Sequence, residues 1–309
     1  MLDLEKDILA TLTYFDNFRY PLTQKEIYSF LPARCTKEIV TACLEMMVRS
    51  RLVFKTQDYY SLNNDPGCVA RRIKGYEQAV KLISKGEKIA SVISHFPFVR
   101  GIAISGSLSK YFAEDDADID FFIITSANRV WIARSFTHLL KKLSFLFRKQ
   151  HLLCMNYYID ENHPEIIEKN IFTATEIVTL IPLKGTAAFN TFFKANNWTS
   201  QYLPNFFLPL AHNNEANPNI AKRCVELILN GRAGNALDSW LMRLTDNRWR
   251  RKRLAKKTNE HGNILSMAAH KHYSKPDPSI FQRQLLETYE KKLNEILKIH
   301  EQASLSAVK

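Results

Sequence analysis

The sequence predicts an α+β protein in three parts, and three patterns along the chain support this prediction. Residues 1–64 have the apolar spacing of three short helices followed by a hairpin. Residues 65–165 alternate between strand and helix patterns, which indicates a mixed sheet covered by helices. Residues 166–309 are mostly helical in pattern, so we expect a helical C-terminal domain.

The composition is that of a folded, soluble protein. Of the 309 residues 46% are hydrophobic and 24% are charged, a balance that excludes a disordered chain. The five cysteines form no Cys-x-x-Cys pair, so we expect reduced, packed thiols. No run reaches the ~18 apolar residues of a membrane span, and the N-terminus lacks a signal-peptide pattern. We therefore expect a cytoplasmic protein that has no membrane partner.

The net charge of +12 favours a polyanionic partner, either nucleic acid or a nucleotide. Arg248 to Lys257 is a strongly basic run within the helical C-terminal part. Such a run can follow a nucleic-acid backbone, or it can be a solvated helix face or loop. The sequence leaves both interpretations open.

The first 64 residues carry the elements of a known DNA-binding module. Thr23 and Glu26 have the spacing of a capping box at the start of the second helix. A third helix pattern, TKEIVTACLEMMVRSRLV, precedes the hairpin pattern LVFKTQDYYSL. This order resembles a winged helix-turn-helix domain, which implies DNA binding through the third helix. That helix carries Lys37 and Arg49 but as many acids, so a protein-contact module is the open alternative.

The central part contains a Gly-Ser pair and an Asp-x-Asp pair at a characteristic spacing. Gly106-Ser107 follows the strand pattern FVRGIAIS, and Asp118-x-Asp120 leads directly into the apolar run FFIIT. Side chains two residues apart on a strand point to the same face, so the two aspartates lie side by side. Neighbouring carboxylates repel each other unless a divalent cation lies between them. The other acids, residues 114–116, are expected to form a solvated turn.

Together, the Gly-Ser turn, the spacing and the Asp-x-Asp strand resemble the signature of the DNA polymerase beta-like nucleotidyltransferase superfamily. The resemblance implies that Asp118 and Asp120 hold Mg²⁺ or Mn²⁺ and act in catalysis. It also implies that an NTP such as ATP is held by Gly106, which permits close backbone approach, and by Ser107 at a helix start. The implied reaction moves a nucleoside monophosphate to a hydroxyl acceptor and releases pyrophosphate.

A third carboxylate of this family is expected on the strand after the intervening helix. In that strand, LLCMNYYID, the matching position is Asn156, which can contact a metal but cannot act as a base. Asp160 lies on the same predicted face but about 13 Å farther along the strand. Glu176, in the next predicted helix, is another candidate. Lys110 and Arg134 are candidates for contacts with the phosphates.

Two functions therefore follow from the sequence. The first is an NTP-dependent nucleotidyltransferase whose acceptor is an RNA 3′ end, a protein side chain or a small molecule. The alternative is a DNA-binding regulator or scaffold with a degenerate, inactive transferase fold, which Asn156 would permit.

Overall fold

The chain folds around two β-sheets of different size, a three-stranded sheet near the N-terminus and a six-stranded mixed sheet. The computed structural model describes residues 2–145, 154–207, 219–255, 267–276 and 279–307. The prediction of a mixed α+β fold is confirmed. Among the described helices, none is both long enough and apolar enough to cross a membrane.

The three helices and the hairpin predicted for the N-terminal part are present. The elements are α1 (Leu2–Asp16), β1 (Leu22–Thr23), α2 (Gln24–Phe30), α3 (Lys37–Arg49), β2 (Phe54–Thr56) and β3 (Tyr59–Ser61). The predicted capping box forms, because Thr23 N–H donates to the Glu26 carboxylate at 2.7 Å and Glu26 N–H donates to Thr23 Oγ1 at 3.3 Å. The strands pair in the antiparallel order β1-β3-β2.

The predicted alternation of strand and helix in the central part is also present. Its elements are α4 (Pro66–Ile93), β4 (Val99–Ile104), β5 (Asp120–Thr125), α5 (Val130–Phe145) and β6 (Cys154–Asp160). Strands β4 and β5 are antiparallel, and β5 and β6 are parallel and connected by α5. Residues 151–153, the start of the predicted third strand, lie outside the described residues.

The expectation of a helical C-terminal domain requires correction, because that part also contributes three strands to the large sheet. Its elements are α6 (Ile171–Val178), β7 (Ile181–Lys184), α7 (Thr186–Ala195), α8 (Ile220–Leu229), α9 (Arg232–Leu254), β8 (Met267–Ala269), β9 (Tyr273–Pro276) and α10 (Ser279–Ala307). The strand order is β7-β4-β5-β6-β9-β8. Unlike the hairpin strands β2 and β3, the short strands β7 and β8 pair with partners distant in sequence or lack a clear period of two, and Pro182 is tolerated because β7 is an edge strand.

Helices cover both faces of the large sheet. Phe121 and Ile123 of β5 pack in the core on the side of α4 and α5. Phe122, from the same strand, packs on the opposite side with Phe189 and Phe192 of α7. A strand that is buried on both faces is an uninterrupted apolar run, as the sequence FFII of β5 shows. Asp120 starts this run and therefore lies at the rim of the sheet.

Arg72 of α4 connects the N-terminal part to the loop between β4 and β5. Its side chain is only 4% exposed and forms a 3.0 Å salt bridge with Glu26 of α2. It also donates to the carbonyl oxygen of Tyr111 at 3.0 Å, and its guanidinium lies 4.3 Å from the centre of the Tyr20 ring. Tyr20 in turn donates its hydroxyl to the carbonyl oxygen of Lys110. The loop that carries Lys110 is therefore held in place by the N-terminal part.

The last helix packs against the first. Tyr14 of α1 and Tyr289 of α10 form an edge-to-face ring contact with centroids 5.8 Å apart. The ring of His300 bonds Glu5 at 2.9 Å, and Lys292 forms a salt bridge with Asp16. The two ends of the described chain are thus in direct contact.

Replacing Arg72 by Met should destabilise the fold strongly. The change removes the buried cation that binds both Glu26 and the Tyr111 carbonyl, and breaking a buried ion pair costs about 3 kcal/mol or more. Lys74→Met is the matched control, because Lys74 pairs with Asp115 in an exposed bridge whose expected contribution is below about 1 kcal/mol. Urea unfolding measures both values. Equal stability of the two variants would contradict the connecting role of Arg72.

Candidate functional site

The turn after β4 lies directly against the first residue of β5. Gly106 has a φ of +70°, in the left-handed region that side chains disfavour. A Cβ on Gly106 would lie 2.6 Å from Asp120 Oδ2. The neighbouring Ser105 N–H donates to the carbonyl oxygen of Asp120 at 2.9 Å. The structure therefore brings together the predicted Gly-Ser turn and Asp120, and it leaves room only for glycine at position 106.

The helix predicted to begin at Ser107 is a single 3₁₀ turn, Leu108–Lys110. Tyr111 ends the turn with a φ of 54°, and the following Ala113 N–H donates to the carbonyl oxygen of Gly75 in α4. These contacts direct the chain toward α4 instead of continuing the helix. A three-residue turn lacks the aligned peptide dipoles of a long helix, so the expected helix after Ser107 is reduced to this turn. Phosphate binding by Ser107 stays a prediction. Ser107 itself is exposed beside Gly106.

Three carboxylates from two segments of the chain converge near the Gly106 turn. Asp118 is exposed just before β5, and Asp120 is half-buried at the start of that strand. Glu176 comes from α6 and binds the Lys110 ammonium group at 2.7 Å. Lys110 also donates to the carbonyl oxygen of Gly106 at 3.0 Å. Lys110, a predicted phosphate ligand, thus fixes the Gly106 turn to Glu176.

The pKa of Asp120 shows that these groups interact. Burial is the largest cause and raises the pKa of Asp120 from 3.8 to about 6. A hydrogen bond from the Cys154 thiol and the charge of Lys110 oppose the rise, whereas the charges of Asp118 and Glu176 add to it. Three acids around one ammonium group leave an excess of negative charge that a bound cation would reduce.

Strand β6 places Cys154, rather than Asn156, beside Asp120. The register pairs Asp120 with Cys154, and a bulge between Met155 and Tyr157 removes Asn156 from the regular pairing. Burial and the neighbouring Asp120 raise the pKa of the Cys154 thiol to about 12, so Cys154 is a hydrogen-bond donor at neutral pH. Metal binding by Asn156 stays a prediction.

Asp160 does not join the carboxylate cluster. On β6, Asp160 lies six residues beyond Cys154, and it pairs with Thr125 at the far end of β5. That separation corresponds to about 20 Å along the strand. Asp160 is therefore excluded as the third carboxylate of this site, and Glu176 is the acid that the fold brings near Asp120.

Arg134, a predicted phosphate ligand, makes packing contacts. Its guanidinium lies 5.9 Å from the centre of the Trp131 ring and 5.5 Å from that of Tyr158. It also donates to the sulfur of Met267 at 3.2 Å, and burial lowers its pKa. Among the described residues, no carboxylate forms a salt bridge with Arg134. A role of Arg134 in phosphate binding stays a prediction.

Basic side chains of α5 and α9 meet near the same end of the sheet. Burial lowers the pKa of His138, and so do the charges of Arg134, Lys142, Lys141 and Arg248. Helix α5 returns from the end of β5 to the start of β6, so its last turns approach Cys154. Consistent with this path, the charge of Lys141 acts on the Cys154 thiol. We call His138, Lys141, Lys142 and Arg248 the basic rim.

A large groove lies on the other side of the 3₁₀ turn. It has a volume of about 1230 Å³ and separates α2 from the edge strand β7. Ser109 and Lys110 line one wall, whereas Lys25 of α2 and Lys184 of β7 line others. Lys110 therefore borders both the groove and the carboxylate cluster.

Two members of the site lacked a decisive signal in the sequence. Cys154 is a cysteine without a patterned partner, and only the strand register reveals its contact with Asp120. Glu176 lies 56 residues after Asp120, in a helix that Asn170 caps by accepting a bond from Thr173 N–H at 2.9 Å. The cap predicts the helix, but only the tertiary packing shows that Glu176 faces Lys110.

Asp120→Asn should change the pH dependence of stability. Because the folded pKa of Asp120 lies above 3.8, its ionisation destabilises the fold as pH rises from about 4 to about 6. We expect the stability of the Asn variant relative to wild type to increase over that interval and to stay constant at higher pH. Urea unfolding between pH 4 and 8 tests this, with the exposed Asp115→Asn as control. A difference that is independent of pH would contradict the raised pKa.

Comparisons with protein-family models, curated proteins and solved structures found no match to this chain.

Proposed function

We propose that this protein is a nucleotidyltransferase that moves a nucleoside monophosphate from an NTP to a hydroxyl acceptor and depends on Mg²⁺ or Mn²⁺. The observation that carries the proposal is the convergence of Asp118, Asp120 and Glu176 beside the Gly106 turn. In this proposal the N-terminal part is a winged helix, and the segment with β4, β5 and β6 is the transferase core.

The donor set of the site fits a hard divalent cation. Carboxylate oxygens are the protein ligands that Mg²⁺ prefers, and the Cys154 thiol is protonated at neutral pH and so is a poor competitor. Asp118 and Asp120 would hold the ion, while Lys110 keeps Glu176 within the electrostatic range of Asp120. When bound, the ion would neutralise charge on the phosphates and on the departing pyrophosphate.

The backbone at Gly106 and the basic rim supply contacts for the phosphates. Because the Gly106 turn lies against Asp120, a phosphate bound to a cation on Asp120 would come close to the Gly106 backbone. Lys141, Lys142 and Arg248 add positive charge at the end of the sheet where Asp120 lies. This arrangement supports an anionic substrate beside the cation, in line with the net charge of +12.

The groove beside Lys110 supports a site for the acceptor. It is large enough for a substantial molecule and borders the carboxylate cluster through Ser109 and Lys110. Because α2 forms one wall, the N-terminal part would contribute directly to acceptor binding.

The alternative of a DNA-binding regulator has less support. The exposed face of α3 combines Lys37 and Arg49 with Glu38, and its Ile39 side chain is 54% exposed. A surface of mixed charge with exposed apolar groups suits a protein contact better than a phosphate backbone.

NTP with Mg²⁺ should raise the melting temperature of the wild-type protein by several degrees, because ligand that binds only the folded state stabilises it. The double substitution Asp118→Asn and Asp120→Asn should abolish the rise. Asp115→Asn with Asp116→Asn, which removes two exposed acids from the same loop, should retain it. Differential scanning calorimetry with each of the four NTPs measures these shifts. An unchanged melting temperature with all four would overturn the proposal.

Incubation with each α-labelled NTP and a cell lysate then identifies the acceptor, because the fraction that gains label contains it. Label transfer by the wild type and the Asp115/Asp116 variant, but not by the Asp118/Asp120 variant, is the expected result.

Nucleic-acid affinity should depend on α9 and not on α3. Replacing Arg248 and Arg250 by Ala should weaken binding of single-stranded RNA and reduce its salt dependence, since each lost phosphate contact lowers the slope by about one. Lys37→Ala with Arg49→Ala is the charge-matched control and should have little effect. Fluorescence anisotropy over a salt series measures both. Loss of DNA affinity in the α3 variant alone would instead favour the regulator.

A further inference from the structure

A second cluster of chemically active side chains lies at the opposite end of β6. Asp160 is the last residue of that strand, His163 is in the following turn, and His272 comes from the turn between β8 and β9. By the strand rise, Asp160 is about 20 Å from Cys154 and the carboxylate cluster. The cluster is therefore separate from the proposed transferase site.

Asp160 is held in a fixed orientation. Its side chain is fully buried, and its Oδ1 accepts bonds from the backbone N–H groups of Asn162 at 2.9 Å and His163 at 3.0 Å. Its Oδ2 accepts a bond from Asn128 N–H at 3.1 Å. Although burial alone would raise the pKa of Asp160, the hydrogen bonds from His272, Asn128 and His163 lower it. Three backbone N–H groups thus fix the position of both carboxylate oxygens.

Both histidines present Nδ1 to this carboxylate. His272 Nδ1 lies 2.7 Å from Asp160 Oδ2, and His163 Nδ1 lies 3.3 Å from Asp160 Oδ1. The two imidazole rings stack with centroids 3.6 Å apart and planes 24° apart. One ligand atom from each of the three side chains lies within 4.8 Å of the others. In a tetrahedral zinc centre, with bonds near 2.0–2.1 Å, neighbouring ligand atoms lie roughly 3.3 Å apart. The side chains need only small shifts to reach that spacing.

The second histidine distinguishes this cluster from an ordinary ion pair. A single histidine would suffice for an ion pair with Asp160, whereas here one ring faces each of its two carboxylate oxygens. A metal ion takes imidazole rings in their neutral form. The His163 side chain is 56% exposed, so a metal here would keep a coordination position open to water.

We propose that Asp160, His163 and His272 bind one divalent transition-metal ion of the zinc class. Two imidazole nitrogens and one carboxylate oxygen are a ligand set that suits Zn²⁺. Because β9 pairs with β6 at Tyr158 and Ile159, the ion would fasten the β8–β9 hairpin to the central sheet. This site does not depend on the proposed transferase activity.

The test uses the full chain after treatment with a chelator. The chain carries Asp118→Asn and Asp120→Asn, which remove the other candidate cation site. Titration with Co²⁺, followed by visible absorption and calorimetry, should show one ion per chain that Zn²⁺ displaces. Zn²⁺ should also raise the melting temperature. His163→Gln and His272→Gln should each weaken Co²⁺ binding at least tenfold, because each removes a ligand. His95→Gln changes an exposed histidine beside α4 and should have no effect.

His163→Gln is the decisive variant if His272→Gln does not fold, because the His163 side chain is more than half exposed. Circular dichroism and the metal-free melting temperature establish that each variant is folded. The proposal would be overturned if the protein with all its histidines intact did not bind Co²⁺. It would also be overturned if a folded His163→Gln variant bound Co²⁺ with the same affinity as that protein. Retained binding in His95→Gln with loss in His163→Gln would establish it.

Discussion

The candidate site depends on one steric constraint, which is that the Asp120 carboxylate occupies the space where residue 106 would carry a side chain. The close approach of Asp120 sets the position of the turn at Gly106. The turn in turn positions Lys110, whose ammonium group donates a hydrogen bond to the Gly106 carbonyl oxygen. Lys110 then holds Glu176 from α6. A helix that the chain adds more than fifty residues later is thereby tied to the Asp-x-Asp strand. The same loop is supported from its other side by Arg72 and Tyr20.

Much of this site was predictable because its central part is local in sequence. The apolar runs correctly placed the Gly-Ser turn after one strand and the Asp-x-Asp pair at the start of the next, and the fold brings the two together. The identity of the third acid was not predictable, because it depends on the register of β6 and on how α6 packs. A bulge of one residue was enough to remove Asn156 from the expected alignment. A 3₁₀ turn forms after Ser107 instead of a longer helix because the following residues contact α4. A local sequence pattern cannot predict such contacts.

For the fold as a whole, long periodic segments and the short hairpin β2–β3 were predicted, whereas short strands with distant partners were not. Helices α1 to α5 and strands β4 to β6 have apolar spacing over enough residues to distinguish a period of 3.6 from a period of two. Strands β7, β8 and β9 have three or four residues each, and their partners are distant in sequence. Such strands form because an existing sheet edge offers unpaired hydrogen-bonding groups, so tertiary structure determines them.

The contact between α1 and α10 bears on how the chain is made. The hydrogen bond between Glu5 of α1 and His300 of α10 joins residues 295 positions apart. Strand β9, which pairs with the edge of β6, is also synthesised late. A ribosome synthesises the chain from its N-terminus, so α1 emerges long before the helix that covers it. Until then the apolar flank of α1 around Tyr14 and the edge of β6 are exposed to other nascent chains. The contacts of α1 with α10 and of β6 with β9 can therefore form only after most of the described chain has been synthesised, and such distant contacts slow folding.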